Sequence, residues 1–122
     1  MNVKIKPSLL VLPVLLFLLF SGSAINKASI RIIYPNGGEV LKTGSSVTIK
    51  WQWKNASGKV ILILYKKGIK HSIISKQAAN TGMFRWKIPR NIPVGSDYRV
   101  RIRVLKKLYI NDFSDGNFTI KK

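Results

Sequence analysis

Arg99, Arg101 and Arg103 occupy every second position of the stretch YRVRIRV, residues 98–104. A guanidinium group presents a planar fork of donors that grips carboxylate or phosphate oxygens two at a time, so a row of three is equipped to hold an anion. Bond cleavage needs positioned acids, bases or nucleophiles, and these are scarce. The 122-residue chain has no cysteine, one histidine (His71) and four acids: Glu39, Asp97, Asp112 and Asp115. One histidine without thiol companions makes no zinc site. Asp112 and Asp115, beside Ser114 and Gly116, read as turn caps rather than as a calcium loop. Glu39 and Asp97 read as satisfying nearby backbone, and four scattered acids supply no paired carboxylates of glycosidase type. The expectation is a non-catalytic protein without metal or cofactor.

Charge points the same way. The formal net charge is +18, an imbalance that favours acidic partners: nucleic acid, anionic lipid or acidic surface polymer. Lys4 and Lys6 open the chain, Leu9 to Phe20 (LLVLPVLLFLLF) is apolar throughout, and Ser21-Gly22-Ser23-Ala24 offers small residues. This is the three-part layout of a secretory signal peptide. The apolar run falls short of the roughly 20 residues needed to span a bilayer, so cleavage after Ala24 is expected. Residues 25–122 are then an exported domain with no membrane span. They retain +16, since only Lys4 and Lys6 leave with the leader. Export makes a specific nucleic-acid partner the least natural of the three. The absence of cysteine excludes disulfide staples and thiol acylation, and the C-terminal FTIKK carries no lipid-anchor signal.

The elements that must position the arginines are strands. Period-two alternation recurs along the chain, with turn residues between. The readings are Ile30 to Tyr34, Val47 to Trp53, Lys59 to Tyr65 (KVILILY), a weaker strand at Ser72 to Lys76, Phe84 to Ile88, Tyr98 to Val104, and Asn117 to Lys121. Pro35-Asn36-Gly37-Gly38, Asn55-Ala56-Ser57-Gly58, Lys67-Gly68 and Ser114-Asp115-Gly116 punctuate them. About seven short strands at this spacing predict an all-β, two-sheet antiparallel sandwich over residues 25–122. Tyr98 opens a late strand where a tyrosine-corner residue would sit.

The order YPNGGEVLKTGSSVTIKW, VILILYKKG, NTGMFRWKIP, IPVGSDYRVRI and DFSDGNFTI resembles the Ig-like domain of the Kre/Knh type. That family is named after the N-terminal region of yeast cell-wall β-glucan assembly proteins and also occurs in secreted bacterial and archaeal proteins. Pro35-Asn36-Gly37-Gly38-Glu39, Trp51, Thr81-Gly82, Trp86, Gly95-Ser96-Asp97-Tyr98 and Ser114-Asp115-Gly116 carry the resemblance, which covers roughly residues 30 to 120. It implies an Ig-like β-sandwich at the cell surface and carries over no catalytic residues. The Ser/Thr-rich stalk and lipid-anchor signal of many fungal relatives are not in this sequence, which leaves that route of wall anchoring in doubt.

In Ig-like topology the strand KVILILY neighbours the arginine strand. Val60, Leu62 and Leu64 match the inward phase of the family pattern, which turns Ile61, Ile63 and Tyr65 outward. The outer face is expected to run from these three, across Arg99, Arg101 and Arg103, to Thr119 and Lys121 on the last strand. An apolar strip beside a cationic one is a common mark of an interaction site. The opposing possibility is that the Ser72–Lys76 strand or a loop covers Ile61 and Ile63. Charge reversal at Arg101 is the test this reading proposes. Trp51 and Trp86 share phase with aliphatic neighbours and are assigned to the core, while Trp53 is poised between core edge and sugar-stacking platform. Asn55 and Asn117 head glycosylation sequons.

The reading that results is an exported, cell-surface or extracellular binding or adhesion module for an anionic envelope polymer, a glycan or a surface protein. The alternatives are a structural wall or surface-layer component acting by self-association and an exported hydrolase inhibitor.

Overall fold

The computed structural model describes residues 27–122; the expected leader, residues 1–24, lies outside them. Nine strands follow in chain order: β1 (Ser29–Tyr34), β2 (Val40–Lys42), β3 (Ser46–Lys54), β4 (Val60–Lys66), β5 (Ile69–Ala78), β6 (Met83–Lys87), β7 (Gly95–Val104), β8 (Lys107–Phe113) and β9 (Phe118–Lys121). Alternation sets which side chains enter the core. In β7 the even-numbered residues from Tyr98 to Val104 are buried, and the arginines between them are half-buried.

One sheet is β1-β3-β6 and the other is β2-β9-β7-β4-β5, with β8 also paired to β7. Ile32, Ile49, Leu62, Val100, Ile102 and Ile120 meet between them, fully buried. Among the described residues, every member of the core cluster lies between Ile30 and Ile120. Trp51 and Trp86 belong to it. Among the described residues no helix is long and apolar enough to cross a membrane.

Three expectations are corrected. There are nine strands rather than about seven, because β2 and β8 escape the pattern. β2 is only three residues long. β8 follows β7 through Leu105-Lys106, which holds none of the usual turn residues. The sandwich is not wholly antiparallel, since β2 runs parallel to β9. The strand expected to be weak, β5, is ten residues long. Its bulges against β4 blur the period that a sequence reader follows.

The motif loops at one end of the sandwich lock onto each other. The Glu39 carboxylate accepts from Asn36 N at 2.8 Å and Gly37 N at 2.7 Å. Asn36 Nδ2 donates to Asp115 Oδ2 at 2.9 Å, and Asp115 N returns a bond to Asn36 Oδ1 at 2.8 Å. The buried Ser114 hydroxyl donates to Pro35 O at 2.8 Å and accepts from Val100 N at 3.0 Å. Asp115 is therefore a clasp between the first and last loops, not a local cap. Asp112 is not one either: its carboxylate accepts Ile32 N at 2.8 Å and ties β8 of one sheet to β1 of the other. Tyr98 completes a tyrosine corner, its hydroxyl donating to the carbonyl of Pro93 five residues upstream.

Candidate functional site

β4 and β7 pair antiparallel over seven residues, setting Ile61 opposite Arg103, Ile63 opposite Arg101 and Tyr65 opposite Arg99. The expected strip and the expected cationic row therefore do share the outer face of one sheet. On the far side of β7 the flank is divided. β9 pairs only with its start, at Gly95 and Tyr98. β8 pairs with its end, setting Phe113 opposite Arg101 and Asn111 opposite Arg103. Phe113 and Asn111 are site residues that the sequence reading missed, because β8 was not recognised as a strand. Lys121 is exposed but lies beyond the Gly95 end, beside Lys42 of β2, and does not continue the arginine row. Thr119 lies on the same strand, its hydroxyl donating to Ser96 Oγ at 2.9 Å.

The apolar strip is less open than alternation implied. Ile63 is only 5% exposed although it lies outside the core cluster. Ile73 of β5 and Arg101 of β7 stand directly opposite it, and β5 lies beside β4 rather than over it. Ile61 and Tyr65 are half-buried.

The three arginines are not equivalent. The Arg101 guanidinium carbon lies 4.7 Å from the Phe113 ring centroid and 6.0 Å from that of Tyr65, two rings that meet edge to face at 4.9 Å. Its Nη1 donates to Tyr65 OH at 3.1 Å, and Nε and Nη2 both donate to Asn111 Oδ1, at 3.1 and 3.0 Å. Arg101 is thus built into an aromatic clamp. Arg99 and Arg103 are each held by Nε alone, to Asn117 Oδ1 and Leu108 O, both at 3.2 Å. Among the described residues no hydrogen bond engages their terminal amines, and the two residues stand four strand positions, roughly 13 Å, apart along β7. Among the described residues the one ion pair is Lys66–Asp97 at 2.6 Å, so no carboxylate neutralises any of the three.

Beside Arg99 the surface dips into an open recess of about 480 Å³, lined by Tyr65, Phe113, Asn117, Asp97 and Lys67. The Lys66 ammonium, bonded to Asp97, holds that carboxyl below its ordinary range, partly offset by burial. It also sits 4.8 Å from the Tyr98 ring centroid. Asp97 is therefore an anion at the rim, already paired with Lys66.

The remaining candidates lie elsewhere. Trp53 is 41% exposed at the end of β3, in a recess of about 670 Å³ shared with Arg31, Lys54 and Met83. His71 is exposed on β5. Asn55 is exposed in the turn after β3, with φ of 49°. Asn117 is exposed, with its carbonyl engaged by Arg99.

Two packed sheets, a tyrosine corner and interlocked end loops define an Ig-like β-sandwich. More narrowly, the chain belongs to the Kre9/KNH-like N-terminal Ig-like domain family, whose model matches residues 34–120. That family is associated with cell-wall and secreted proteins. Neither a curated protein nor a solved structure gives a match to the chain. The family residues Asn36, Gly37, Glu39, Ser114 and Asp115 are explained by the clasp, a structural task.

Proposed function

We propose that the protein is an exported, non-catalytic module that binds an anionic cell-envelope polymer on the outer face of β4, β7 and β8. The observation that supports this is an arginine row without an ion-pair partner: Arg99 and Arg103 are anchored through Nε to neutral acceptors, and among the described residues no hydrogen bond engages their terminal amines. A guanidinium held this way loses little side-chain freedom when a carboxylate or phosphate arrives. Two such groups suit repeated acidic groups along an extended chain. The Tyr65–Phe113 rim beside Arg99 offers ring surface to a sugar.

The test is retention of residues 25–122 on immobilised polygalacturonate at physiological salt. Arg99→Gln/Arg103→Gln is compared with a charge-matched pair, Lys50→Gln/Lys87→Gln, on the exposed side of the other sheet. Loss of about tenfold or more in the arginine pair, with the lysine pair little changed, supports the site. Equal losses mean bulk charge and sink it. Concentration-dependent oligomers without any ligand favour the structural reading instead.

A further inference from the structure

The two ends of the sandwich differ in kind. At one end lie the loops that hold Glu39, Asp97 and Asp115, each already bonded within the protein. At the other end β1 starts, β3 stops, β4 starts, β7 stops and β8 starts, as the pairings Ser29 with Lys54, Val60 with Val104 and Val104 with Lys107 require. No acidic residue lies at that second end. The remaining acid of the four, Asp112, is committed to Ile32 N.

What the second end carries instead is apolar tips among lysines. Tyr109 is 76% exposed, Leu108 44% and Trp53 41%. Lys106 and Lys107 flank the first two on the β7–β8 hairpin. Leu105 N donates to Lys59 O at 2.9 Å, which brings the hairpin against the β3–β4 loop, whose Lys59 follows Lys54 at the end of β3. Lys27, where the described chain begins, shares a recess of about 420 Å³ with Tyr109. Five lysines thus share this end with exposed Trp53, Leu108 and Tyr109, and none of the chain's four acids lies there.

From this pole we infer a peripheral docking site for an anionic phospholipid bilayer. The arrangement matches what a membrane interface selects. Tryptophan and tyrosine rings settle at headgroup depth with their polar edge in water, lysine stems lie along apolar surface, and ammonium groups meet lipid phosphates. An extended polyanion would have no use for the unpaired apolar tips, which is why the observations favour lipid at this end. Docking here would lie the arginine face along the membrane normal, open to the envelope. The inference is independent of the arginine reading and fails or holds by itself.

The test is flotation of residues 25–122 with phosphatidylcholine vesicles that either contain or lack phosphatidylglycerol. Trp51 and Trp86 are 3% and 5% exposed, so a bromine-labelled lipid reports on Trp53 alone. Expected are binding that requires phosphatidylglycerol and quenching of Trp53 on binding. Lys106→Glu/Lys107→Glu should weaken binding by about tenfold or more, and Leu108→Ser/Tyr109→Ser by about tenfold. The charge-matched Lys42→Glu/Lys121→Glu, at the opposite end, should change it by no more than about threefold. Equal losses in the two lysine pairs, or an unquenched Trp53 on bound protein, overturn the proposal. So does loss of polygalacturonate retention, with vesicle binding intact, in the Lys106/Lys107 variant. All six positions are exposed, and circular dichroism of each variant confirms the fold before the comparison.

Discussion

The guanidinium of Arg101 stacks on Phe113 at 4.7 Å and donates to the hydroxyl of Tyr65 at 3.1 Å. The middle arginine of the row is therefore a cross-strand tie between β8 and β4, made through β7. The charge that the sequence singles out for mutation is the one least free to meet a ligand.

Arg101→Ala is expected to destabilise the domain by about 2–3 kcal/mol, since it removes a cation–π contact and three charge-assisted hydrogen bonds. Arg99→Ala and Arg103→Ala, each with one tether, should cost no more than about 1 kcal/mol. Urea denaturation midpoints check this. A fall at Arg101 no larger than at its neighbours would mean that the clamp contributes nothing in solution.

Tyr98→Phe keeps the ring but deletes the bond to Pro93, at an expected cost of about 1–2 kcal/mol. Burial raises the phenol above its ordinary value of 10.0. A raised acid contributes stability that is present below the unfolded value and lost as pH climbs through the folded one. The difference between wild type and Tyr98→Phe should therefore shrink in alkali, as thermal melts across that range would show.

Asp97 runs the other way. Its bond to Lys66 lowers the carboxyl from its ordinary 3.8. The contribution is complete above that value and disappears as pH falls through the lowered folded value. Wild type should exceed Asp97→Asn in melting temperature at neutral pH, with the gap closing in strong acid. A gap that is constant with pH would assign the effect to geometry rather than ionisation.

Gly82→Ala should cost about 1–3 kcal/mol. Gly82 has φ of +88°, and a Cβ there would stand 3.0 Å from the Trp51 carbonyl oxygen and 3.3 Å from the Trp53 ring. Gly82 O also accepts Trp51 N at 3.0 Å, so the backbone cannot move away freely. Denaturant midpoints and the Trp53 emission maximum should shift together.

The sequence by itself determined what depends on neighbours one or two positions apart. Alternation gave the inward phase of β1 and β7, the resemblance to the family supplied that of β4, turn residues placed most strand ends, and the Pro35–Glu39 and Ser114–Gly116 motifs with Tyr98 pointed to the Ig-like family. Only the tertiary structure decided what lies beside each strand. The flank of Arg101 went to β8, whose hairpin has no turn residue to announce it, and Lys121 was carried away from the arginine row. Ile63, expected to face outward, is only 5% exposed with Ile73 of β5 and Arg101 of β7 opposite it. The gathering of Trp53, Leu108, Tyr109 and five lysines at one pole arises from four separate chain segments. The physical reason is that strand phase is a local steric property, whereas lateral pairing and end-to-end clustering join residues tens of positions apart and are chosen by the packing of the whole core.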